Sequence, residues 1–90
     1  MQAKPVVRFT KDEAIALLGH EVCSLVEFSG VPIGTNGRVV DIYDVGNDSF
    51  DVVIEWDLPS RNYPLRDRFA KDTYIEFLTE DEHLAVAIGL

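Results

Sequence analysis

The chain predicts a small, mainly-β domain, a five-stranded antiparallel barrel behind a short N-terminal helix. Three stretches predict it. Phe50-Asp51-Val52-Val53-Ile54-Glu55-Trp56-Asp57 alternates, with Phe50, Val52, Ile54 and Trp56 on one face and Asp51, Glu55 and Asp57 on the other. Gly46-Asn47-Asp48-Ser49 is a polar breaker between two β-rich runs, which marks a hairpin. Pro32-Ile33-Gly34-Thr35-Asn36-Gly37-Arg38-Val39-Val40 places two glycines three apart before β-branched residues. Gly34 and Gly37 suit a sharp reversal that feeds a strand.

The elements follow in order. Residues 6–9 form a short extended piece. Thr10-Lys11-Asp12-Glu13 has capping-box spacing, and Ala14, Ile15, Leu17 and Leu18 recur at helical intervals, so a helix is expected over 11–18 with Gly19 as its stop. Residues 21–28 are β-branched and aromatic enough for a strand, and 29–32 make a loop. Strands are expected at 37–44 and 50–57. Pro59 and Pro64 keep 58–67 out of regular pairing. A single helical turn is expected at 70–72 and a last strand at 74–78, where Ile75 and Phe77 alternate with Tyr74, Glu76 and Leu78. Thr79-Glu80-Asp81-Glu82 repeats the capping spacing and suits a short terminal helix through Leu84, Ala85 and Ile88, in competition with the β-rich run Val86-Ala87-Ile88. No repeat or linker divides the chain, so 1–90 is read as one domain, with the barrel at 19–78 and a tail at 79–90.

Composition narrows the function classes. With 47% apolar residues a core forms without disulfides, and the single cysteine, Cys23, fits a reducing cytoplasm. Neither a signal-peptide layout nor a membrane-length apolar run occurs, so no membrane role is expected. The net charge of −8, from 16 acidic against 8 basic side chains, opposes phosphate neutralisation and so argues against a general nucleic-acid binder. The acids are dispersed, whereas Arg61, Arg66, Arg68 and Lys71 form a local basic island.

Gly19-His20-Glu21-Val22, Gly34-Thr35-Asn36-Gly37-Arg38-Val39, Val52-Val53-Ile54-Glu55-Trp56 and Phe69-Ala70-Lys71-Asp72-Thr73-Tyr74-Ile75 together resemble the SH3-like β-barrel superfamily. The likeness covers residues 19–78. It is similar to the barrel of the small photosystem I accessory subunit, to that of the nitrile hydratase β subunit and, more distantly, to the KOW module. The resemblance implies a barrel fold and transfers little function. KOW modules that bind RNA carry basic loops, where this chain has Glu21, Glu27 and Asp41. The cysteine cluster that binds metal in nitrile hydratase lies on a different subunit from the barrel.

Candidate sites are few. His20 and Cys23 offer two zinc ligands where a structural site needs four, so no metal is expected, and Cys23 reads as a small, partly buried strand residue. Ser24, Ser29, Ser49 and Ser60 lack a nucleophile elbow, and 30–37 lacks the Lys and following helix of a phosphate-binding loop. No catalytic residue and no cofactor are expected. Trp56 has two readings, a core aromatic closing one barrel end or a rim aromatic beside the following loop. Trp56, Arg61, Tyr63, Arg66 and Arg68 form the candidate binding set, because Trp, Tyr and Arg dominate interaction hot spots. The apolar tail 84–90 packs back on the barrel or, if exposed, drives association; a monomer is expected. The function expected is a non-catalytic protein-interaction module or accessory subunit with a protein partner. The alternatives are a KOW-like nucleic-acid protein, an acidic DNA mimic and a structural subunit of an enzyme complex.

Overall fold

In a computed structural model, which describes residues 6–28, 30–58 and 64–81, α1 (Lys11–Leu17) opens at the expected capping box. The Thr10 hydroxyl accepts from the Glu13 N–H, and the Glu13 carboxylate accepts from the Thr10 N–H at 2.9 Å. Five strands follow: β1 (Glu21–Ser24), β2 (Asn36–Gly46), β3 (Ser49–Trp56), β4 (Leu65–Phe69) and β5 (Leu78–Thr79), with α2 (Lys71–Phe77) between the last two. They form one antiparallel sheet in the order β4-β3-β2-β1-β5, curled into a half-barrel.

The hairpin of β2 and β3 is the frame. Asn47 and Asp48 both take positive φ, 54° and 53°, as a type I′ turn requires. The Asp44 carboxylate supports the turn by accepting the Gly46 N–H at 2.8 Å. Asp48 also accepts the Lys11 N–H, which ties α1 to the hairpin tip. Phe9 exchanges backbone hydrogen bonds with Phe50, so the expected extended piece adds a bridge beside β3. Phe50, Val52, Ile54 and Trp56 are all buried, as the alternation predicts. Trp56, Phe69 and Phe77 gather around Phe28, with ring centroids 5.6 to 6.4 Å from it.

Four expectations are corrected. The first strand ends at Ser24 rather than 28; Phe28 instead forms an isolated antiparallel bridge with Val31, and its ring joins the aromatic cluster. The stretch 58–67 is not all loop, because β4 begins at Leu65, and Pro64 stands just before it, where its missing N–H costs no ladder bond. The strand expected at 74–78 is mostly helix: α2 runs to Phe77, and only Leu78 and Thr79 pair with β1. Its period is helical, since Tyr74 and Leu78 are buried four apart while Ile75 is 65% exposed. Gly37 does not reverse the chain. Gly34 does, at φ 86°, whereas Gly37 lies within β2 under a crowded ring. The terminal helix expected from 79 onward falls, beyond Asp81, outside the described residues.

Candidate interaction face

Trp56 takes the core placement of its two readings, at 3% exposed. Its indole N–H donates to the Asp67 carboxylate at 2.8 Å. A Cβ on Gly37 would lie 2.8 Å from both the Trp56 ring and the Ile54 side chain, so the absent side chain makes the space that the ring fills. Arg66 and Arg68 alternate with Leu65, Asp67 and Phe69 along β4, so both arginines stand on the exposed face of the sheet. Arg61 and Tyr63 lie outside the described residues. The basic island is therefore split: its described arginines leave Trp56 and join a different set of partners on the outer face.

The strand register defines that set. Glu21 faces Arg38, Arg38 faces Glu55, and Glu55 faces Arg66, giving one row of alternating charge across four strands. Arg38 donates to Glu21 at 3.2 Å and Arg66 to Glu55 at 3.1 Å. Further along β3, Asp51 is 4% exposed although it sits on the polar side of the strand. Arg8 holds one of its oxygens at 3.1 Å and Arg68 the other at 3.3 Å. Two guanidinium groups supply the compensation that a buried carboxylate needs. The same Arg68 lies over the ring of Tyr43, 4.1 Å from its centroid, and Tyr43 is 49% exposed. Arg68 is thus fixed from two sides while its stacked partner faces solvent.

The cations of this surface are committed. Arg8, Arg38, Arg66 and Arg68 each hold a carboxylate, and Lys71 holds Glu13 at 2.6 Å across α2 and α1. Between the charge row and the end of β3 lies a depression of about 540 Å³, lined by Glu21, Arg38, Val40, Glu55 and Asp57 among others.

The remaining candidates are ordinary. His20 pairs with Glu80, not with Cys23. Cys23 is buried, and burial pushes its thiol pKa up. Among the described residues no three His, Cys, Asp or Glu side chains converge on a metal position. No helix among them is long and apolar enough to cross a membrane. Sequence reasoning missed Arg8, Glu21, Arg38, Tyr43, Asp51 and Glu55 as members of the outer-face set. Part of the signal was available, because Tyr43 and Asp51 lie on the two arms of the recognisable hairpin, but the shift between Asp44 and Gly46 that sets them opposite one another was not.

No protein-family model, curated protein or solved structure matches this chain.

Proposed function

We propose that this chain is a non-catalytic protein-interaction module of SH3-like architecture, a cytoplasmic monomer that serves as an accessory subunit and docks a protein partner on its outer sheet face. The observation that carries the proposal is the half-exposed Tyr43 stacked under Arg68, whose guanidinium is pinned by the buried Asp51. Tyr and Arg are the side chains that most often concentrate binding energy, and a prearranged pair loses little freedom on docking. The SH3-like assignment draws its support from the order strand, Gly-rich loop, hairpin, helix and last strand, with β5 returning to pair with β1. A KOW-like role draws less support, since Arg66 and Arg68 already hold carboxylates and are not free to neutralise phosphates.

The test is a partner isolated by cross-linking in cells and then purified. Tyr43→Ala and Arg66→Ala are expected to weaken its affinity by about 1 to 2 kcal/mol, roughly 5- to 30-fold, with the Arg66 variant losing under about 0.5 kcal/mol of stability. Unchanged affinity in both variants, or sub-micromolar binding of labelled RNA or duplex DNA that weakens with salt, overturns the proposal.

A further inference from the structure

Resting on that interaction reading, we infer that the depression between Glu21, Arg38, Val40, Glu55 and Asp57 receives an extended segment of the partner that bears lysine or arginine side chains. Its lining holds three carboxylates against one guanidinium. Glu21 and Arg38 are paired at 3.2 Å, but both are largely exposed. Exposed pairs contribute at most about 1 kcal/mol, so an incoming cation exchanges with Arg38 at little cost. Glu55 is shared with Arg66 through one oxygen, and the other remains open to a second donor. Asp57 has no side-chain partner among the described residues. The binding chemistry is therefore that of an anionic groove whose own cation is loosely held.

The apolar part of the groove fits the same ligand. β2 carries an irregularity between Val39 and Asp41, and the extra residue, Val40, is exposed beside the charge row. Lysine and arginine stems lie along such a surface while their charged heads reach carboxylates. In an extended segment, alternate side chains stand about 7 Å apart on one face, while Glu21 and Glu55, two strand spacings apart, are separated by about 10 Å. Flexible stems bridge that difference. The domain's charge of −8 also raises the encounter rate with a cationic chain.

Arg38 makes the inference sign-specific. If the ligand is basic, Arg38 competes with it; if the ligand is acidic, Arg38 anchors it. The experiment titrates the isotopically labelled full chain with an acetylated, amidated octapeptide of alternating arginine and valine, at low salt, and follows backbone amide shifts. Shifts are expected to concentrate on residues 21–22, 36–40 and 55–57. Arg38→Gln should tighten binding about twofold, and Glu55→Gln combined with Asp57→Asn should weaken it about fivefold. The spectra of the variants report folding directly. Shifts spread over the whole acidic surface, no saturable binding, weaker binding by Arg38→Gln, or occupation of the groove by an alternating glutamate–valine octapeptide each overturn the inference. If the peptide misses the groove while Tyr43→Ala still weakens the protein partner, this inference falls and the interaction reading stands.

Discussion

At the scale of single residues, two crowded positions govern the core. Gly37 has no left-handed backbone to explain it; its reason is space, because the Trp56 ring and Ile54 stand where a Cβ would go, 2.8 Å away. Neither neighbour gives way cheaply, since Trp56 is tied by its hydrogen bond to Asp67 and Ile54 is fully buried. Gly37→Ala is therefore expected to cost about 1 to 3 kcal/mol. Urea unfolding followed by tryptophan fluorescence measures it, and an unchanged midpoint refutes the account of Gly37 as space for the ring. Tyr74 presents the opposite case, a buried hydroxyl near the Glu80 carboxylate that forms no hydrogen bond of normal geometry with it. Burial first, and then the nearby Glu80 carboxylate, push its pKa up. In the folded state it keeps its proton where the unfolded chain, with an ordinary value of 10.0, loses it. That contribution to stability is complete below about pH 10 and is lost as pH rises above it. Tyr74→Phe is expected to be as stable as the parent or up to about 1 kcal/mol more stable at pH 7, and to lose less stability between pH 9 and 11. Paired melts at those pH values decide it, and a strongly destabilised variant points to a bond the hydroxyl does make.

At the scale of elements, Asp51 joins three pieces of chain. The bridge of Phe9 to Phe50 sets Arg8 beside it, and the pairing of Val53 with Arg68 brings the second arginine diagonally within reach. Asp51→Asn keeps the shape and removes the charge. The expected loss is about 2 kcal/mol, between the small value of an exposed pair and the 3–5 kcal/mol of a fully buried one, because both arginines are partly exposed. Denaturant titration of Asp51→Asn, Arg68→Ala and the double variant checks this; fully additive losses contradict a shared network. The same elements show what sequence carried. The Thr10–Glu13 box and the Asn47-Asp48 turn are local chemistry, and both were legible from residue type and spacing. The extra residue at Val40 was not. Without it the register that 41–44 keep with 50–53 carries Arg38 opposite Trp56 instead of Glu55, and the charge row dissolves. Nothing in the side chain of Val40 announces that shift. α2 was misread for a related reason: Tyr74 to Leu78 is short enough for two periods to fit, and the contacts of Tyr74 with Phe9 decided between them.

At the scale of the whole molecule, the sheet and hairpin were legible because burial follows alternation, whereas the outer face depends on long-range register. The loop expected over 58–67 gave Arg66 and Arg68 no shared face; β4 supplies it, and their partners Glu55, Asp51 and Tyr43 come from distant parts of the sequence. The completed surface leaves acids in excess, with Arg8, Arg38, Arg66, Arg68 and Lys71 already held in contact pairs. Two electrostatic effects then oppose each other when salt is added. The attractive pairs act over 2.6 to 3.3 Å, well inside a Debye length of about 10 Å at 0.1 M, and are screened little. Repulsion among the unpaired carboxylates acts over longer distances and is screened strongly. Repulsion therefore loses more, and stability should rise with ionic strength. Raising sodium chloride from about 0.01 M to about 0.3 M is expected to increase Tm by a few degrees, on the order of 0.5 to 1 kcal/mol for a domain of this size. Differential scanning calorimetry across that range is the check. A Tm that falls steadily with salt means that the ion pairs, rather than the surplus of negative charge, dominate the electrostatics of the fold.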